Sequence, residues 1–137
     1  MGRIDNIAVG ERLPEIQHAT DTVGQFLYNA ALWNAHRIHF DYPYATEVEG
    51  YPGLVVAGPL MGDWLSQCVE EWLGEDGRLM QFEYSNRRAA FVGDVLLCTG
   101  EISEIDTASR TVTITLELIN EAGEVLTPAR AIVRFAK

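Results

Sequence analysis

Cysteine is scarce in this chain: two residues, Cys68 and Cys98, stand among 137. Both fall on apolar-patterned segments, so reduced packing thiols are expected rather than a disulfide framework. Positive charge is scarce as well, with ten Lys and Arg scattered among twenty Asp and Glu and a formal net charge of −10. Binding a phosphate backbone needs clustered cations that release counterions, so nucleic acid is excluded as a partner. No run of about 18 apolar residues occurs, which excludes a membrane-spanning helix. The opening Met1-Gly2-Arg3-Ile4-Asp5-Asn6 has no apolar core for a secretory signal, and Asn6 stands where a myristoylation site needs Ser or Thr. A cytoplasmic protein is expected. Internal repeats, low-complexity segments and linkers are absent too, so residues 1–137 read as one domain.

What is present begins with a turn and a helix. Residues 4–20, with Gly10 and Pro14, read as a short edge strand after a turn. Asp21 or Thr22 then caps a helix in which Val23, Phe26, Leu27, Ala30 and Ala31 make one apolar face, ending near Trp33-Asn34. Residues 40–53 are aromatic and turn-rich. Asp41 can cap and Pro43 suits a first helical turn, giving a brief helix through Val48 that Gly50, Pro52 and Gly53 break. Tyr42, Tyr44 and Tyr51 either line a pocket wall or pack this loop. The clearest element spans 59–73, where Leu60, Met61, Trp64, Leu65, Cys68, Val69, Trp72 and Leu73 form one broad stripe. Asp63, Gln67, Glu70 and Glu71 take its other face, and Gly74 follows as a C-terminal cap.

The remainder reads as strand: 79–91, 95–105, 111–120 and 126–135, separated by short turns. Across 111–118 the apolar and polar residues alternate almost without fault, so one face is buried. Short turns imply antiparallel neighbours. The expected fold class is α+β, an antiparallel sheet wrapped around a long central helix. Open sheet edges imply association into at least a dimer.

Reactive side chains concentrate in Trp33-Asn34-Ala35-His36-Arg37-Ile38-His39 and at Gly58-Pro59, where the long helix opens. An imidazole and a carboxamide can position and activate water, and a helix N-terminus can stabilise a developing oxyanion. That pairing points to addition or removal of water beside a carbonyl. Simpler roles stand beside it: Asn34 also suits a helix C-terminal cap, Gly58 an N-cap, and His36 a surface position. His36 and His39 lack the Cys or carboxylate set that completes a metal site, so no metal is expected. Nor does any Ser or Cys lie in a matching nucleophile elbow. Arg87-Arg88, beside Asn86, either bind a small anionic ligand or sit solvated on a strand edge. His18 reads as structural. An apolar acyl pocket draws on Trp33, Leu54, Val56 and Trp64, each equally suited to plain core.

Three segments resemble the hotdog superfamily and, within it, the MaoC-like dehydratases and R-specific enoyl-thioester hydratases. Residues 32–41, Leu-Trp-Asn-Ala-His-Arg-Ile-His-Phe-Asp, are similar to the family's Asp-x-Asn-Pro-x-His signature. Residues 50–60 are similar to the segment leading into the hotdog helix, and 91–96 to a turn common before a strand of this fold. The resemblance implies a hotdog dimerising through sheet edges and reversible hydration of a 2-enoyl thioester. Coenzyme A or acyl carrier protein would carry the substrate, with no further cofactor.

Carried onto this chain, the signature His falls on His39 and the signature Asp on Asn34. An amide bonds water but cannot take its proton at ordinary pH. The Asn-x-His-x-x-His form seen here resembles a mesaconyl- and methylfumaryl-type subgroup. The implied roles are general acid and base for His39, water orientation for Asn34, and a thioester-oxygen donor at Gly58. Ala57, His36, Tyr42 and Arg87 are the other candidates for substrate contact, with Ala57 standing where relatives often have His. Two alternatives accompany this reading: a subunit of a heteromeric dehydratase completed by a paralogous hotdog chain, and a hotdog thioesterase using Asp63 or a non-catalytic acyl-binding module.

Overall fold

The computed structural model describes residues 2–137; Met1, the first residue of the N-terminal reading, lies outside them. The chain enters along a sheet edge as β1 (Ile16–His18) and turns into α1 (Thr22–Ala31). Asp21 caps α1, its Oδ1 accepting from Gly24 N at 2.7 Å. A 3₁₀ turn over Arg37–His39 and a π-helical turn over Tyr44–Val48 follow. Then come α2 (Gly58–Leu73), β2 (Gly77–Tyr84), β3 (Leu96–Asp106), β4 (Thr111–Ile119) and β5 (Val125–Phe135). The strands form one sheet in the order β1-β3-β4-β5-β2, every pair antiparallel. The expected antiparallel sheet around a central helix is what the chain builds.

The apolar stripe of α2 decides where the core sits. Met61, Leu65, Cys68, Val69 and Leu73 are buried against Ile102, Ile114, Leu116, Ala131 and Val133 on the concave face of the sheet. Asp63, Gln67, Glu70 and Glu71 stay exposed, as their spacing requires. In β4 the alternation expected from 111–118 places Val112, Ile114, Leu116 and Leu118 inside. The two cysteines are free and buried, and burial pushes the thiols up to about 11 at Cys68 and about 12 at Cys98.

Two expectations need correction. The strand read over 79–91 stops at Tyr84. Beyond Tyr84 the ladder breaks up: Ser85 N still donates to Pro128 O, and Arg87 N and Arg88 N both turn to Leu126 O on β5, after which residues 90–92 pair with another stretch of backbone. Val56 N donates to Ala90 O at 2.8 Å and Val92 N to Leu54 O at 2.9 Å, with Val55 and Phe91 forming an isolated bridge. Arg87 and Arg88 therefore sit exposed on a loop rather than a strand edge.

The second correction concerns α1, whose facing is the reverse of what its apolar pattern suggests. Val23, Phe26 and Leu27 are exposed, as are Ala30 and Ala31, while Gln25 and Asn29 are the buried residues. Residues four apart share one helix face. On that inner face Gln25 Nε2 donates to the main-chain carbonyl of Val55, and Asn29 Nδ2 bonds back to α1's own carbonyl at Gln25, 2.8 Å away. An apolar residue at 25 would leave the second lone pair of the Val55 carbonyl without its donor, the first being taken by His39.

Candidate active site

The segment after α1 is shaped by its own side chains. Trp33 adopts φ 55°, a left-handed turn that ends the helix and directs the chain away. Asn34 N donates to Asn29 O at 2.9 Å, and Asn34 Oδ1 accepts from His36 N at 3.2 Å. His36 caps the next turn, its Nδ1 accepting from Ile38 N at 3.4 Å. Arg37 then clamps the loop. Its Nε and Nη2 lie 2.9 and 2.8 Å from Asp41 Oδ2, and its guanidinium lies over the Tyr44 ring at 4.2 Å. That partner holds the Asp41 carboxyl below the usual carboxylate range.

The outcome is a single buried imidazole. His39 is 7% exposed and its Nδ1 lies 2.7 Å from Val55 O. A backbone carbonyl can only accept, so Nδ1 carries the proton and Nε2 keeps its lone pair. Burial pulls the His39 pKa below the ordinary imidazole value, and the nearby His36 adds to this; the Val55 carbonyl acts in the opposite direction. His39 is therefore neutral at neutral pH, with a basic nitrogen available.

Val55 is three residues before the start of α2, so its carbonyl and the Gly58 N–H lie within about 10 Å of each other along the chain. Ala57 is the N-cap residue and is fully buried, its carbonyl accepting from Leu60 N at 3.0 Å. As the first residue of the helix, Gly58 has an N–H with no intrahelical acceptor, at the positive end of the helix dipole. A Cβ at Gly58 would meet Asn86 Nδ2 at 2.5 Å, so a larger residue there would have to push that exposed side chain aside. Asn86 Oδ1 in turn accepts from the Thr127 hydroxyl at 2.9 Å.

The structure thus brings His39, Ala57 and Gly58 to one stretch of backbone, with His36 alongside; the two imidazole rings are 5.7 Å apart. Other expected site residues lie differently. Asn34 is half-buried with its carbonyl oxygen held by the loop, which leaves Nδ2 as its remaining hydrogen-bonding group. Tyr42 and Arg87 are exposed, and among the described residues neither hydrogen-bonds to His39, Asn34 or Gly58. Trp33, a candidate for the acyl pocket, is 94% exposed, whereas Leu54, Val56 and Trp64 are buried. His18, read as structural, stacks on Trp64 with ring centroids 4.8 Å apart.

Sequence reasoning missed Gln25, Asn29 and Asn86. For the first two a signal existed: two amides four residues apart, on the face opposite a continuous apolar stripe. Asn86 had none, because its approach to Gly58 depends on where 85–95 leaves the sheet.

An antiparallel sheet curled around one helix is the hotdog arrangement, here with a buried imidazole beside the segment that opens that helix. The chain superposes on the (R)-hydratase from A. caviae involved in PHA biosynthesis, with a TM-score of 0.86 and 18% identity over 95% of this chain and 98% of that one. At that identity the likeness speaks for the fold. Residues 11–92 match the family model of hydroxyacyl-thioester dehydratase type 2, and the chain belongs to that family. Among curated proteins, it is 64% identical to mesaconyl-C(4)-CoA hydratase of Chloroflexus aurantiacus over 44 residues, 32% of this chain and 16% of that protein. It is 34% identical to the mitochondrial hydroxyacyl-thioester dehydratase type 2 of Schizosaccharomyces pombe over 82 residues, 58% of this chain and 27% of the relative. The matches therefore span under a third of those longer proteins.

Proposed function

We propose that this protein catalyses reversible hydration of a 2-enoyl thioester to the 3-hydroxyacyl thioester, carried on coenzyme A or acyl carrier protein. The observation that carries the reading is the setting of His39: buried, its pKa lowered by that burial, its Nδ1–H committed to Val55 O, and its Nε2 without a hydrogen-bond partner among the described residues. In hydration Nε2 takes a proton from water as the water oxygen bonds to Cβ. The double-bond electrons move to form an enolate, with charge on the thioester oxygen. The Gly58 N–H donates to that oxygen, a contact of a kind typically worth about 3 kcal/mol in the transition state. The proton on Nε2 then passes to Cα, which restores the imidazole. Dehydration runs the same steps backward, with Nε2–H protonating the departing hydroxyl.

Asn34 orients the water through Nδ2. Being an amide it takes no proton, so one imidazole carries all the acid–base work. No further cofactor is needed for this chemistry. A second hotdog unit, in the first instance another copy of this chain, covers the exposed apolar face of α1 and closes the acyl pocket. The thioesterase alternative draws less support, because Asp63 is exposed and already accepts the Tyr28 hydroxyl at 2.7 Å.

The test is loss of enoyl-thioester absorbance on mixing the purified protein with short 2-enoyl-CoA substrates. His39→Ala should lower kcat/KM by about a hundredfold or more while leaving the far-ultraviolet circular dichroism unchanged. Undiminished turnover by that variant removes His39 as the acid–base group. Release of free thiol without hydration would replace this reading with a thioesterase.

A further inference from the structure

We propose that Gln25 is a positioning residue for His39, holding the imidazole through the Val55 carbonyl that both side chains share. The inference rests on the reading of His39 as the acid–base group and extends it to the inner, amide-bearing face of α1. Gln25 is 0% exposed, and a buried primary amide is costly unless its groups are matched. Its Nε2 donates to Val55 O, and its Oε1 faces Ala57 N at 3.5 Å. One side chain thus touches the carbonyl that fixes the His39 tautomer and the N–H next to the residue that opens α2.

The geometry around Val55 explains why the contact matters. A carbonyl oxygen has two lone pairs. At Val55 one is taken by His39 Nδ1–H and the other by Gln25. Val55 N donates to Ile38 O at 2.9 Å, which ties the same residue to the turn bearing His39. Without Gln25 the second lone pair would go to water or stay unpaired, and water admitted there would lie against the imidazole. The ring would be better solvated and its direction less fixed. One turn further along α1, Asn29 Nδ2 donates to the Gln25 main-chain carbonyl at 2.8 Å. The charge environment is simple: apart from burial and the Val55 carbonyl, the group acting on His39 is His36 from its own segment. From α1 and from 54–56 the neighbours that bond it or its partner carbonyl are neutral.

Gln25→Met keeps the length and volume of the side chain and removes both hydrogen-bonding groups. The expected result is a folded protein with kcat lower by about 10- to 100-fold, KM within about threefold of wild type, and the acid limb of kcat/KM moved toward the ordinary imidazole pKa. The His39 ring-proton titration, followed by NMR without substrate, should move up in the same variant. Wild-type kcat together with a wild-type His39 titration would overturn the proposal and leave Gln25 as packing.

Gln25→Glu carries the test should the Met variant not fold. Its protonated acid can still donate to Val55 O, so activity should hold just above the acid limb set by His39 and fall as the carboxyl ionises. A Glu variant with the wild-type pH profile would also overturn the proposal. The NMR arm needs no turnover, so it separates failure of this coupling from failure of the hydratase reading, which His39→Ala tests directly.

Discussion

His39 and His18 are both held below the ordinary imidazole pKa by burial. The unfolded chain therefore binds more protons than the folded one between the lowered values and about 6.5. Stability should rise with pH across that window, level off above it as far as these two groups are concerned, and be lost as the pH falls through it. Urea midpoints measured at a series of pH values check this. At His18 the Nε2 is buried without a hydrogen-bond partner among the described residues, although Glu71 draws its pKa partly back up. His18→Phe keeps a ring against Trp64 and removes the orphan nitrogen. It should leave stability unchanged or raise it by up to about 1 kcal/mol, with a shallower acid slope. For catalysis the lowered His39 pKa has a separate sign: the basic form persists to lower pH than a free imidazole allows. The acid limb of kcat/KM should therefore lie below about 6.5 in the wild-type protein.

Among elements, α1 and β2 show how far a pattern can be read. The stripe on α2 and the alternation in β4 were legible because one face of each has to enter the core, and burial of those side chains dominates. The amphipathic pattern of α1 was equally legible, but a pattern of two faces does not say which one a particular neighbour covers. Here the neighbour is backbone at 55, whose carbonyl calls for donors, so the amide face turned inward. The His39 site was legible as residue types at a spacing; its support from Gln25 was not, because it arises from a contact thirty residues away in sequence. The early end of β2 was hidden for the same kind of reason, since 90–92 finds its partners at 54–56. At the other end of β2, a Cβ on Gly77 would collide with the backbone carbonyl of Arg134 on β5. Gly77→Ala should therefore loosen the β2 edge, seen as faster amide exchange in β2 than in β4, whose pairing with β3 it leaves intact.

For the whole molecule, the exposed side chains of Val23, Phe26, Leu27 and Trp33 make one end of the protein unusually apolar for a surface with so much negative charge elsewhere. If a second copy covers that end, light scattering should give the mass of at least a dimer. A Phe26→Glu, Leu27→Glu double variant should then shift to monomer with its circular dichroism unchanged, because neither side chain is in the core of its own chain. A wild-type protein that is monomeric and silent alone, yet turns over enoyl-CoA when a paralogous hotdog chain is added, would instead support the heteromeric arrangement.

The inaccessible sulfur atoms give the folded molecule one more property. With Cys68 and Cys98 sealed against the sheet and reluctant to ionise, iodoacetamide or a maleimide should find nothing to react with until the hydrophobic interior comes apart. The pace of alkylation then becomes a clock for opening of the whole unit, readable by mass spectrometry on any variant without substrate or spectroscopic label.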